Sequence, residues 1–310
     1  MGETVICGRK KASELNCIRD KICPVSDTLL YLTDSHEGAG LGGFVQQPRR
    51  MDLLPEMFRA IRELVKKRGV NLVIHGGDMT EHGTWPEVQN AMASLRGMGA
   101  PVAVCTGNHD LALRNSMELW TAATQNAKVL FADRVVALKH CDVILLNNAW
   151  VNQGDAGFFW EGGGCTEALL EPQWQWLESE LAKLTRTAIL VVHAPLDPLP
   201  PRLTGKAADL YGPSAAYAAR MIELLDRHPR VRLVLSGHNH VTCATGFPSR
   251  MQLSTASLAE PPFQARLIHV QENAIRIETL NVVPTPPGCP IDPSKTWSSG
   301  QAEDRDVDFQ

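Results

Sequence analysis

Five short polar clusters in this sequence combine residue types that hold cations, and each follows an apolar run. Asp34-Ser35-His36 follows residues 28–33 (TLLYLT), and Gly76-Gly77-Asp78 follows residues 71–75 (NLVIH). Gly107-Asn108-His109-Asp110 follows residues 101–105 (PVAVC), His193 closes 188–192, and Gly237-His238-Asn239-His240 closes 231–235. Carboxylate, carboxamide oxygen and imidazole nitrogen, with no thiolate, are a donor set that suits Mn, Fe, Zn or Co. Asp34 and His36 stand two apart on an extended segment, so their side chains project to one side and can grip one ion. His238 and His240 repeat that arrangement. Asp78 has two oxygens and can bridge two ions, so seven donors with one shared make two sites of about four protein ligands each. Such sites leave room for water and for substrate oxygens, which is what metal-assisted hydrolysis needs.

Taken singly, each cluster has an ordinary structural reading. Asp34 or Ser35 could cap a helix, Asp78 could turn the chain after two glycines, and His193 could be a hydrogen-bonded core histidine. What joins them is the set of elements that precede them. After the run at 28–33, Leu53, Leu54, Met57, Phe58, Ile61, Leu64 and Val65 recur at helical spacing, and Gly69 stops the helix. A second helix is expected over 85–95. Apolar strands alternating with amphipathic helices predict an α/β sheet covered by helices. The second half predicts strands at 129–131, 134–138, 142–146, 188–192 and 231–235, helices at 174–184 and 216–226, and turn-linked sheet at 251–255, 266–270 and 274–280. In open α/β sheets ligands bind at the carboxyl ends of strands, where all five clusters fall. Residues 1–26 read as an N-terminal extension and 27–283 as one domain. Residues 284–310 carry five prolines at 284, 286, 287, 290 and 293 and an acidic end, and read as an extended or disordered tail.

The chain has 30 Lys and Arg against 34 Asp and Glu, so a net charge of -4 gives no general pull toward nucleic acid. No apolar run reaches the length of a membrane span, and the first residues lack the apolar stretch of a secretory signal. Of eight cysteines, Cys105, Cys141 and Cys243 read as buried thiols, and the others match no zinc-site spacing. A reducing cytoplasm is the expected compartment. Among ten histidines, His140, His228 and His269 read as surface or edge residues; His75 and His82 flank Asp78 and could support it, but an ordinary structural role is the first reading for both. Trp174 and Trp176 read as a helix facing the core.

The blocks TDSH, GGDMTEHG, GNHD, VVHAP and SGHNH, in this order from Asp34 to His240, resemble the five signature blocks of the calcineurin-like metallophosphoesterases. The resemblance implies a four-layer αββα sandwich with a dinuclear metal centre between two sheets. It assigns Asp34, His36 and His240 to one metal and Asn108, His193 and His238 to the other, with Asp78 bridging. It places His109 at the scissile phosphate, where it addresses the leaving oxygen, and implies attack by a hydroxide held between two metals, with Asn108 neutralising phosphoryl charge. The form GD-x-T-x-x-G at 78–83, with GNHD and GHNH, is similar to the class III cyclic-nucleotide and glycerophosphodiester phosphodiesterase branch. Two departures stand out: His193-Ala194-Pro195, where that branch often has HHP, and Asn147-Asn148-Ala149-Trp150, where relatives commonly have a Leu-Asp-Ser type sequence. The implied activity is hydrolysis of small organic phosphodiesters. A phosphomonoesterase or nucleotidase would use the same centre, and a non-catalytic scaffold would be expected to lack ligands that are all present here. Loops 154–164 and 195–213 are expected to shape the pocket. Phe158, Phe159 and Trp160 in the first could stack on substrate, act as a lid, or cover an apolar patch or a contact between copies of the chain.

Overall fold

Strand β1 (Asp27–Leu32) is buried along its whole length, and its side chains divide by parity. Leu29 and Tyr31 join one core, Leu30 and Leu32 another, as the two-residue period of a strand covered on both faces requires. The computed structural model describes residues 26–40, 45–131, 133–247 and 250–309. The extension at 1–26 lies outside them but for Ser26.

Helix α1 (Leu54–Arg68) follows, burying Leu54, Met57, Phe58, Ile61 and Val65 on one stripe. It ends at Gly69, whose φ of 61° suits the left-handed cap, with Lys66, Lys67 and Arg68 against the negative end of its dipole. Then come β2 (Leu72–His75), α2 (Trp85–Ser94), β3 (Val102–Val104), α3 (Ser116–Ala127) and β4 (Leu130–Phe131). Strands β1 to β4 run parallel and side by side.

The second sheet is built from β5 (Arg134–Ala137) and β6 (Cys141–Leu145). After it comes a small ribbon of β7 (Ala149–Asn152), β8 (Asp155–Gly157) and β9 (Thr166–Ala168). Helix α4 (Glu171–Ala182), β10 (Thr187–Val191), α5 (Ala215–Asp226), β11 (Val231–Ser236), β12 (Cys243–Phe247) and β13 (Arg250–Ser254) follow. The order in this sheet is β12-β13-β11-β10-β6-β5. The chain then returns to the first sheet through β14 (Gln264–Gln271), β15 (Ala274–Asn281), a helical turn α6 (Ala302–Arg305) and β16 (Val307–Phe309). The first sheet is ordered β16-β15-β14-β1-β2-β3-β4, with β14 antiparallel to β1.

Three cores make four layers. Leu29, Tyr31, Ile74, Val143, Ile189 and Leu233 fill the space between the two sheets. Leu30, Val73 and Val104 pack outward on Met57, Ile61 and Val88 of α1 and α2. Leu190 and Val234 pack outward on Leu177 of α4 and Met221 of α5. This is the αββα sandwich expected from the resemblance. Cys105, Cys141 and Cys243 are buried free thiols, as read from sequence.

The C-terminal segment corrects the expectation of an extended or disordered tail. Residues 293–299 form a 3-10 helix, and β16 pairs antiparallel with β15. Asp304 is fully buried and accepts from Arg202, from the Ala244 amide and from the Gln301 amide. Buried Arg266 donates to the carbonyls of Asp304 and Arg305 at 2.7 and 2.9 Å. Proline content marked these residues as irregular, but buried charge partners fix them.

Candidate metal centre

The carboxyl ends of β1, β2 and β3 in one sheet, and of β10 and β11 in the other, open at the same end of the sandwich. There the sequence supplies Asp34 and His36, Asp78, Asn108 and His109, His193, and His238 and His240. Asp34, His36, Asp78, His238 and His240 all have φ between 48 and 69°. Left-handed backbone at non-glycine residues costs energy and clusters at functional sites. Here it turns each donor back over the end of its own strand. Two glycines leave the room this needs. A Cβ at Gly107 would lie 2.1 Å from Asp78 Oδ1, and one at Gly237 would lie 2.4 Å from Asp34 Oδ2.

All seven sequence-predicted ligands come together. Asp34, His36, Asp78 and His240 bring one donor atom each within 4.8 Å of one another, as do Asp78, His193 and His238. Asn108 Oδ1 stands 3.0 Å from His238 Nδ1, completing the second group. Asp78 belongs to both groups.

The outer ring atoms decide what the inner ones can bind. His36 Nδ1 faces Glu81 Oε2 at 2.8 Å, and His240 Nδ1 faces Glu260 Oε1 at 2.5 Å. His193 Nδ1 faces the Gly76 carbonyl at 2.9 Å. A carboxylate or carbonyl only accepts, so each Nδ1 carries a hydrogen, and each ring in its neutral form presents a bare Nε2 inward. His36 Nε2 and His240 Nε2 then meet at 3.1 Å, and His240 Nε2 lies 3.3 Å from Asp34 Oδ1. His193 Nε2 is buried without a hydrogen-bond partner, 3.2 Å from Asp78 Oδ2. Acceptors facing acceptors in a buried space call for cations between them. The residues fit a metal pair.

In the absence of metal, protons meet this need. Burial alone would raise the Asp34 carboxyl, but His240 and His193 outweigh it and hold it at about 2. Burial would lower His193 and His240; Asp78 reverses this for the first, to about 9, and Glu260 with Asp34 for the second, to about 10. Without metal, protons on these rings neutralise the carboxylates. Burial lowers His238 to about 4.

His109 stands apart from the ligands, at the wall of a cavity. Its Nδ1 lies 3.0 Å from the Glu81 carbonyl, and its ring is 4.9 Å from that of His36 and 5.1 Å from that of Trp160. Its amide donates to Asp78 Oδ1 at 2.9 Å, fixing that carboxylate. The cavity, about 280 Å³, is lined by Asp78, Asn108, His109, His238, His240, Trp160, Glu167, Tyr211 and neighbours. Both loops marked in the sequence contribute, through Trp160 and through Pro195 and Tyr211–Pro213. The three aromatic residues at 158–160 part company. Trp160 lines the cavity, Phe158 packs on the outer core of the second sheet, and Phe159 lies beneath Arg114 at 4.2 Å.

Several supporting residues escaped sequence reasoning. Glu260, 2% exposed, holds His240 and also accepts the Gln46 and Gln47 amides. Glu81 links His36, His109 and the buried Arg49. Asp110 receives the Thr80 amide and hydroxyl and the Gly107 amide, and burial together with Asp78 raises it to about 7. Asn147 receives the Thr106 amide, and Asn148 receives the Ala194 amide. The departure at 147–148 therefore braces the third and fourth blocks. His75 lies beneath the site with Nε2 3.0 Å from Ser35 Oγ, whereas His82 is turned away to Glu87.

The comparisons agree with this geometry. The chain is 24% identical over 218 residues to a Synechococcus protein named a probable cyclic nucleotide phosphodiesterase, covering 69% of this chain and 73% of that one. Among solved structures it shares the fold of a dimetal phosphatase from Danio rerio, with a TM-score of 0.63, 14% identity, and coverage of 83% of this chain and 97% of that one. It also shares the fold of a putative 5'-nucleotidase from Staphylococcus aureus, with a TM-score of 0.53, 12% identity, and coverage of 84% of this chain and 55% of that one. The family model for calcineurin-like phosphoesterases matches residues 28–242, from the first strand through the last ligand pair, and the chain belongs to that family of hydrolases.

Proposed function

We propose that the chain is a metal-dependent phosphodiesterase acting on small organic phosphodiesters. The observation that carries this is the inward convergence of bare histidine nitrogens and carboxylate oxygens on the floor of an open cavity. Asp34, His36, Asp78 and His240 would hold one ion, and Asp78, Asn108, His193 and His238 the other. Bound there, two divalent ions supply Lewis acidity for phosphoryl oxygens and a water acidic enough to act as nucleophile near neutral pH. His109, its Nδ1 engaged by Glu81, keeps Nε2 for the substrate and can pass a proton to the leaving oxygen. The Asn108 carboxamide would face the phosphoryl oxygens, while Asp78, fixed by the His109 amide, would keep the two ligand groups in register.

The GD-x-T-x-x-G form at 78–83 and the likeness to a cyclic nucleotide phosphodiesterase favour diesters. The test is hydrolysis of bis(p-nitrophenyl) phosphate against p-nitrophenyl phosphate by Mn²⁺-loaded protein. Diester preference is expected, and a clear monoester preference would move the chain to the phosphomonoesterases or nucleotidases. Asp78→Asn should lose bound metal and at least about a hundredfold in rate. Full hydrolysis by that variant would sink the shared-ligand assignment.

A further inference from the structure

We propose that the cavity selects phosphodiesters in which one ester arm carries an ammonium group, with Glu167 as its counter-charge and Trp160 and Tyr211 as its aromatic walls. This deepens the phosphodiesterase reading of the same site and rests on it. Apart from the ligand set and His109, the ionisable side chains among the described lining residues are one carboxylate, Glu167, and one phenol, Tyr211. An anionic arm would meet a like charge there, and a neutral arm would cover Glu167 without pairing it. An ammonium arm pairs with the carboxylate and is attracted to the faces of the two rings.

The backbone that carries both walls is held before any substrate arrives, which lowers the ordering cost of binding. The Trp160 amide donates to the Leu111 carbonyl at 2.8 Å. Buried Asn152 donates to the Phe159 carbonyl at 2.7 Å and accepts the Glu161 amide at 3.0 Å, clamping the backbone on both sides of Trp160. Tyr211 follows a backbone bridge between Leu199 and Leu210 and is held at a φ of 52°. Glu167 lies on β9, and its Oε1 accepts the Ser214 amide at the start of α5. A glutamine at that position keeps the acceptor and removes the charge.

The experiment compares p-nitrophenyl phosphocholine with p-nitrophenyl 3,3-dimethylbutyl phosphate, which share leaving group and shape and differ in the charge of one arm. With Mn²⁺-loaded protein the kcat/KM ratio is expected to favour the cationic ester about tenfold, falling to about one in Glu167→Gln. A ratio near one in the parent protein, or one unaltered by Glu167→Gln, would overturn the proposal. Calorimetric binding of phosphocholine against 3,3-dimethylbutyl phosphate reads the same selection without turnover, and equal affinities would also overturn it. A protein that cleaves bis(p-nitrophenyl) phosphate but ignores the charge of the arm keeps the broader reading and loses this one. A protein that binds phosphocholine about tenfold better yet cleaves no diester does the reverse.

Discussion

His240 is held between two carboxylates, Glu260 behind it and Asp34 in front, and in the metal-free protein its ring keeps a proton well above neutral pH. His193 does the same beside Asp78. Metal ligation needs both rings neutral, so metal must displace protons that His240 holds up to about 10 and His193 up to about 9. Loading at pH 7 is therefore expected to release protons, and metal affinity to rise as pH increases from 6 to 8. Calorimetry in buffers of different ionisation enthalpy measures this directly, and a buffer-independent heat would contradict it. The inner donors were legible in the sequence because Asp, Asn and His at strand ends form a spaced pattern. Glu260 was not, since it lies twenty residues beyond His240 in a loop with no spacing rule. Glu81 stands within the second block, but its contact with His36 exists only once the first two strands lie side by side.

At the scale of elements, each strand ends in a turn whose backbone is shaped for its ligand. The turn after β3 shows how little room remains, because a Cβ at Gly107 would lie 2.1 Å from Asp78 Oδ1. Gly107→Ala is expected to cut bound metal about tenfold or more while leaving the far-ultraviolet circular dichroism unchanged. Full metal content in that variant would show that the turn can yield. Most strands and helices were legible from apolar periodicity, since both sheets are covered on both faces and their strands are nearly continuous apolar runs. Helix α3 was missed because it buries only Ser116, Trp120, Ala123 and Thr124, too few apolar positions to make a stripe. Of the ribbon, β8 falls within the loop marked at 154–164 and the sequence pattern assigns neither β7 nor β9, because these strands of three or four residues are too short to show an alternation.

At the scale of the whole molecule, residues 302–309 tie the two sheets together. Asp304 takes the Ala244 amide on β12, while β16 adds to β15 at the edge of the other sheet. Removing residues 302–310 strips two carbonyl acceptors from buried Arg266 and is expected to cost at least about 3 kcal/mol of stability. An unchanged urea midpoint would contradict this. Composition hid the clamp, because proline and acidic residues resemble a solvated tail until their buried partners are known. The neighbours of β1 carry a different consequence, one of time. It pairs with β2 on one side, forty residues on, and with β14 on the other, more than two hundred residues on. At ribosomal rates that interval is roughly 10–50 s, during which an apolar strand keeps one edge bare. Synthesis of this chain therefore includes a long window in which β1 needs shielding by a chaperone or by its own helices. Slowing translation between β2 and β14 should lengthen that window and raise the aggregated fraction.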